Sequence, residues 1–215
     1  MIKKQILFIA LCGTAFLSFG QGPEKAKALL DEVYDKVMSY DNISIDFQST
    51  LENTEANIKQ ETNGNLILKG EKYLLEYMGA QQLFDGEKLY TIVPENQEVT
   101  IEEVSPGDDS SSPSKMLTFY RTGHNYQWDI SQNLGGRQIQ FVKLTPIDSD
   151  TEIKSILLGI DTQTKHIHKL IQTGQNGTKT TLTVNSFRTD KPLSGTLFTF
   201  DEKKYVDKGY YISRN

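Results

Sequence analysis

The feature that most limits the possible folds is a series of short segments in which apolar and polar residues alternate. Between residues 43 and 51 the odd positions are mostly apolar, whereas Ser44, Asp46, Gln48 and Thr50 occupy the even ones. A two-residue period is typical of a β-strand with one buried face. Further strands are predicted at 58–69, 72–78, 81–84, 88–93, 98–104, 126–128, 137–144, 152–160, 166–172 and 178–187. The pattern predicts a mainly β protein of about ten strands in an antiparallel meander.

An amphipathic helix is predicted in front of the first strand, from Glu24 to about Ser39. Its apolar residues recur at steps of three and four: Ala26, Leu29, Leu30, Val33, Val37 and Met38. This spacing is typical of a helix with one buried face. A large sheet with one apolar face curls and needs a cover. The helix and a short apolar segment at 116–120 are the available covers, and the stripe fits either plain core packing or a lid over a cavity.

The first twenty residues predict export. Lys3 and Lys4 precede an apolar run from Ile6 to Phe19, and a small-x-small site ends at Gly20. This order is typical of a signal peptide cleaved before the next residue. We therefore expect a signal peptide over residues 1–20 and a single domain over 21–215. Cys12, the sole cysteine, would be removed with the signal, so no disulfide is expected.

The charge and the motifs argue against several functions. Without Lys3 and Lys4 the chain has 21 basic and 28 acidic residues, a formal charge of −7 that repels nucleic acid. No Gly-x-Ser-x-Gly motif is present, and the mature chain would have no thiol. His166 and His168 share a strand face with no third metal ligand nearby in sequence. We therefore predict a protein that is not an enzyme and has no metal or cofactor.

Several segments together resemble a known family. They include an Asp-Gly turn at 85–86 between two strands, a proline at 94, a Gln-x-Val-Thr strand from 97 and a Leu-Thr-Pro strand end from 144. The matching segments are 65–77, 83–94, 97–100, 142–146, 174–178, 192–193 and 197–200. In this combination the sequence resembles the LolA family over nearly the whole mature chain.

The resemblance implies an incomplete antiparallel β-barrel whose concave apolar face is covered by helices. It implies a periplasmic, monomeric carrier that takes acylated lipoproteins from the inner to the outer membrane. The partners would be the lipoproteins, an ATP-driven inner-membrane extractor similar to LolCDE and, as a further candidate, an outer-membrane acceptor; nucleic acid is not among them. Lys69-Gly70 stands where the family has Arg-Pro, and a lysine lacks the planar fork of that lid-holding arginine.

The predicted cavity for acyl chains is lined from the strands and from the segment near 116. The strand candidates are Ile45, Phe47, Leu66, Leu68, Tyr73, Leu75, Tyr77, Leu83, Tyr90 and Ile92. The later candidates are Met116, Phe119, Tyr126 and Trp128. The same residue types also build an ordinary core, and the pattern does not separate the two roles.

Two other functions remain open at this stage. A lipid-sensing or regulatory module on the same half-barrel would bind lipid without transporting it. A hydrolase acting on lipids or glycans would need a nucleophile or a carboxylate pair in the cleft, and the sequence shows neither. The lipids that co-purify with the protein would discriminate best among these functions.

Overall fold

The computed structural model describes residues 21–104 and 117–214, and most of them belong to one sheet. Residues 1–20 and 105–116 lie outside the described residues, and with them the predicted signal peptide and Met116. In the described part the strands are β1 (Ile43–Asn53), β2 (Ile58–Lys69), β3 (Lys72–Tyr77), β4 (Ala80–Phe84), β5 (Lys88–Val93), β6 (Glu98–Glu103), β7 (His124–Leu134), β8 (Arg137–Pro146), β9 (Ile153–Asp161), β10 (Ile167–Gly174), β11 (Lys179–Thr189) and β12 (Tyr211–Arg214).

These strands form a curved sheet that does not close on itself. Their order is β12-β6-β5-β4-β3-β2-β1-β11-β10-β9-β8-β7. The predicted fold class, an incomplete β-barrel with a helix against it, is confirmed. Neighbouring strands are antiparallel except for β12, which pairs with β6 in parallel from Tyr211 opposite Glu98 to Arg214 opposite Ile101. β12 was not among the predicted strands, and it adds one parallel pair at this edge.

Helix α1 (Gln21–Met38) covers one face of the sheet. Its buried stripe, Ala26, Leu29, Leu30, Val33 and Val37, is the one predicted from the three- and four-residue spacing. Met38, the last helical residue, is 51% exposed because the chain turns away there. A short helix α2 (Glu202–Val206) precedes β12, with the Asp201 carboxylate accepting a hydrogen bond from the backbone of Lys204. Within the described residues, no helix is long and apolar enough to cross a membrane.

The strand register divides the apolar residues between two faces. We call the face under α1 the helix face; it carries the paired residues Ile45, Leu66 and Leu75. The opposite face, the tail face, carries the pairs Leu74–Leu83 and Leu83–Tyr90. It is covered by residues 198–212, which contribute Phe198, Phe200, Tyr205, Tyr210 and Ile212.

The assignment of Leu83, Tyr90 and Ile92 to the same face as Leu66 is therefore wrong. The reason is the two-residue turn Met78-Gly79, whose φ angles of 53° and 77° are both positive. Such a turn pairs Tyr77 directly with Ala80, so the even positions of β4 face the same way as the odd positions of β3. A shift of one residue exchanges the two faces, and β5 inherits the change because Tyr90 pairs with Leu83.

Tyr90 is fixed on the tail face by contacts that leave it no role under α1. Its ring stacks on Phe200 with 4.3 Å between centroids, and its hydroxyl donates a 2.9 Å hydrogen bond to Asp85. Burial and this carboxylate raise the pKa of Tyr90 to about 12. Burial alone would raise the pKa of Asp85, but hydrogen bonds from the backbone of Lys88 and Glu87 and from Tyr90 hold it below its ordinary value.

Candidate functional site

The helix face has a closed part beneath α1. There the helix stripe packs against the sheet in one cluster of buried residues, which we call the helix-covered cluster. The predicted site residues Leu68 and Tyr73 belong to it, with 3% and 1% of their surface exposed. Its other sheet members are Ile43, Phe84, Leu89, Val142, Leu144, Ile156, Leu158 and Ile160. In this closed state the cluster is a packed core, and its side chains reach a ligand only if α1 moves.

The same face has a second part that α1 leaves partly exposed. We call it the open apolar section: Phe47, Leu51, Tyr77, Leu182 and Val184. The register joins these residues, because Phe47 pairs with Val184 on one side and, through Gly64, with Tyr77 on the other. Within the described residues the helix-covered cluster extends toward this section as far as Ile45, Leu66, Leu75 and Leu170. The two parts together form one continuous apolar face.

Phe47 and Tyr77 form the centre of the open apolar section. Their ring centroids are 5.7 Å apart, and the Tyr77 hydroxyl donates a 2.9 Å hydrogen bond to the hydroxyl of Ser49. The ring of Phe47 lies over Gly64, where a side chain would collide with it. The two rings therefore present apolar surface while their one polar group is already paired, which suits contact with hydrocarbon.

A polar cavity borders this section. It has a volume of about 840 Å³ and is lined from the helix face by Ile153, Gln172 and Thr180. Thr180 pairs with Leu51 of the open apolar section, and Gln172 pairs with Thr180. The remaining lining residues come from the adjoining turns: Asp150, Thr151, Glu152, Gly174, Gln175, Asn176 and Thr178. An apolar surface with a polar rim can take an amphiphilic molecule, with its hydrocarbon on one side and its polar group on the other.

Polar contacts attach α1 and the residues just after it to the turn between β9 and β10 and to the turn before β7. Glu32 forms a 2.6 Å ion pair with Lys165, and the Tyr40 hydroxyl shares a 2.8 Å hydrogen bond with His166. The guanidinium of Arg121 lies 3.7 Å from the ring centroid of Tyr34. Contacts of this partly exposed kind are each worth about 0–1 kcal/mol. The apolar stripe therefore dominates the attachment of the helix.

His166 is held in a partly apolar site at the end of α1. Its ring stacks on Phe187 with 3.9 Å between centroids. Burial first, and then the charge of Lys36, lower the pKa of His166, while Asp161 acts in the opposite direction. Within the described residues no three histidine, aspartate or glutamate side chains come together as a metal site would require.

The other predicted site residues are spread over the fold. Ile45, Leu66, Leu75, Phe119 and Tyr126 pack against the helix-covered cluster. Trp128 is 38% exposed on the edge strand β7, next to Val142. Met116 lies outside the described residues. Among the residues of this face that were not predicted are Leu51, Tyr120, Leu170, Leu182 and Val184. The alternation of β10 and β11 contained the signal for the last three, whereas Tyr120 lies in a short 3-10 turn without periodicity.

Comparisons with known proteins agree with this architecture. The sequence model of a family described as outer membrane lipoprotein carrier protein LolA matches residues 38–201, more than two thirds of the chain. No curated protein sequence matches the chain significantly. Among solved structures, an uncharacterized conserved protein from Thermus thermophilus is similar, with a TM-score of 0.56 and 10% identity over 89% of this chain and 99% of that one.

Two further solved structures are similar at lower scores. A LolA superfamily protein from Nitrosomonas europaea has 11% identity and a TM-score of 0.41, over 81% of this chain and 97% of that one. LprF from Mycobacterium bovis has 12% identity and a TM-score of 0.49, over 80% of this chain and 97% of that one.

Proposed function

Because the chain belongs to the family of the outer membrane lipoprotein carrier protein LolA, we propose that it binds the acyl chains of lipoproteins and carries them between membranes. The cargo would be an acylated lipoprotein taken from the inner membrane and delivered to the outer membrane. The predicted signal peptide supports a periplasmic location for this work. The donor would be an ATP-driven extractor in the inner membrane, and the recipient an acceptor in the outer membrane.

The observation that carries this proposal is the continuity between the open apolar section and the helix-covered cluster. Each methylene removed from water contributes roughly 0.8 kcal/mol, so a long acyl chain needs an extended apolar surface. The open section supplies the first contacts around Phe47 and Tyr77. Displacement of α1 would add the helix-covered cluster, and its return after unloading would bury that cluster again.

Charge favours release from membranes rather than residence on them. The mature chain would have a formal charge of −7, which repels anionic lipid headgroups. Because this repulsion opposes binding to the bilayer surface, the carrier would stay in solution between loading and delivery. The polar rim cavity would accept the glyceryl or peptide part of the cargo outside the apolar section.

The test is the release of radiolabelled lipoprotein from spheroplasts into the medium by the purified mature protein. Leu182→Glu introduces a charge into the open apolar section, where it must lose its hydration when acyl chains bind. Thr183→Glu is the matched control, because Thr183 is the next residue on β11 and points to the other face, opposite Lys169. We expect the parent and Thr183→Glu to release cargo and Leu182→Glu to release little.

The outcomes separate the candidate functions. A parent protein that binds acyl probes but releases no lipoprotein would indicate the lipid-sensing module instead of a carrier. A parent that binds no acyl probe while folded and monomeric would end the lipid-binding proposal altogether. Equal release by both glutamate variants would mean that the open apolar section is not the binding surface.

A further inference from the structure

Tyr120 is the one fully buried polar side chain of the described residues whose hydroxyl has no hydrogen-bond partner. It is 0% exposed, and its neighbours form the helix-covered cluster. The neighbouring residues have other contacts. Phe119 packs edge-on against the ring of Tyr120, and the Arg121 guanidinium points outward to Tyr34 and Asp31 of α1. Packing alone does not explain this choice of residue, since a phenylalanine would fill the same space without burying a polar atom.

An unpartnered hydroxyl in an apolar core is unfavourable, because it loses its bonds to water and gains none in return. The unfavourable contribution applies only to the closed state, in which α1 covers the cluster. Burial also raises the pKa of Tyr120, so the phenol stays protonated and remains a hydrogen-bond donor. In the closed, empty protein, an unpaired hydrogen-bond donor therefore lies inside the cluster that hydrocarbon would enter.

The position of Tyr120 connects this donor to loading. It lies in the 3-10 turn Phe119–Arg121, which contacts α1 directly. Acyl chains that enter the helix-covered cluster must separate α1 from the sheet and from this turn. The movement that admits the cargo is thus the movement that uncovers the hydroxyl.

We propose that the hydroxyl of Tyr120 binds the carbonyl oxygen of the ester or amide that joins an acyl chain to its cargo. This inference rests on the proposed function and adds a chemical preference to it. Hydrocarbon contacts recognise any apolar chain, whereas one buried donor distinguishes a chain that begins with a carbonyl from one that does not. The protein would then prefer acylated molecules over alkyl ethers and plain hydrocarbons of the same length.

The experiment compares two fluorescent lipids of equal chain length, a diacylglycerol with ester links and its dialkyl analogue with ether links. Binding of each is measured for the mature protein and for Tyr120→Phe. We expect the parent to favour the ester lipid by about five- to tenfold, the ratio that one hydrogen bond supplies, relative to Tyr120→Phe. Comparing the ratio between proteins cancels the different water solubilities of the two lipids.

Tyr90→Phe is the control variant. Its hydroxyl lies on the tail face and already donates a 2.9 Å hydrogen bond to Asp85, so its loss should leave the ester preference unchanged. Urea unfolding provides a second measurement that does not depend on lipid. Tyr120→Phe should be as stable as the parent or more stable, because it removes a polar atom without a partner, whereas Tyr90→Phe loses a hydrogen bond and should be less stable.

Three results would overturn the inference. The first is an ester-to-ether ratio that Tyr120→Phe leaves unchanged while both lipids still bind. The second is a clear loss of stability in Tyr120→Phe, which would mean that the hydroxyl has a partner within the protein. The third is an equal loss of preference in Tyr90→Phe. Failure of the parent to bind either lipid is a different result, since it contradicts the proposed function itself.

Discussion

A methyl group on the α-carbon of Gly64 would lie 2.2 Å from Cζ of Phe47. The ring therefore occupies the space that any side chain at residue 64 would need. A second glycine on the other face has the same relation to an aromatic ring, since a methyl on Gly159 would lie 2.8 Å from Cε1 of Phe141. The difference between the two sites is burial, because Phe47 is partly exposed and Phe141 is buried.

We expect Gly64→Ala to weaken acyl binding with little effect on stability. The ring of Phe47 can swing toward solvent, and alanine in a strand offsets part of the strain by about 0.5–1 kcal/mol. Gly159→Ala, in contrast, overpacks a buried site and should lower the free energy of unfolding by about 1–3 kcal/mol without changing binding. Displacement of a fluorescent fatty acid and urea unfolding check the two effects; the reverse pattern would mean that Phe47 does not contact the ligand.

Tyr90→Phe tests the assignment of Tyr90 to the tail face. The variant loses the hydrogen bond to the Asp85 carboxylate, and its free energy of unfolding should fall by about 1–2 kcal/mol. Acyl binding should not change, because the ring stacks on Phe200 on the face opposite α1. Thermal unfolding and fatty-acid binding measure both quantities. A loss of acyl binding at unchanged stability would mean that Tyr90 contacts the ligand after all.

Acidification should destabilise the protein through His166. Its pKa in the folded chain is lowered from 6.5, so the unfolded chain binds the proton more readily, and stability present above pH 6.5 is lost as the pH falls through the folded pKa. The groups around the ring are Tyr40, Lys36, Asp161 and Phe187.

The measurement is the free energy of unfolding between about pH 7.5 and 5, where histidine titrates. His166→Gln keeps a hydrogen-bond acceptor for Tyr40 but does not titrate, so its stability should depend less on pH than that of the parent. The pKa of His168 is also lowered, by burial and then by Arg137 and Lys169, so His168→Gln should remove a separate part of the slope. A parent and double variant with identical pH profiles would contradict the assignment.

Trp128 should report loading without any substitution. It is the sole tryptophan, 38% exposed, and it lies on β7, the strand that α1 contacts. Movement of α1 or arrival of hydrocarbon near Val142 changes the polarity around the indole. We expect the emission maximum to shift to shorter wavelength when acyl ligand is added, and not when glycerol alone is added. An emission spectrum that stays constant at saturating ligand would place the acyl chains away from this edge.

Sequence predicted the elements better than their faces. The stripe of α1 and the bounds of β2 and β5 follow from local periodicity, and the structure confirms them. The face of β4 depends on whether the turn at Met78-Gly79 contains an even or an odd number of residues, and a turn one residue longer or shorter would exchange the faces. Three of the predicted site residues were misplaced for this reason.

Long-range pairing could not be predicted from local pattern. β12 is short and rich in polar residues, and it becomes a strand only because the edge of β6 is available to it. β7 extends from His124 to Leu134, although alternation indicated only 126–128, because a bulge after Trp128 interrupts the period. Tyr120 carries no pattern at all, and only the packed structure shows that its hydroxyl lacks a partner.

The cover on the tail face is made late. During synthesis, β6 is complete when the ribosome reaches Glu103. Phe198, the first residue of the covering segment that packs against the cluster of Leu83 and Ile92, is added 95 residues later. At ordinary elongation rates this leaves an apolar face and an unpaired strand edge uncovered for roughly 5 to 20 s. During this interval the nascent chain exposes an apolar surface that holdase chaperones can bind, and residues 198–212 cover that surface in the finished protein.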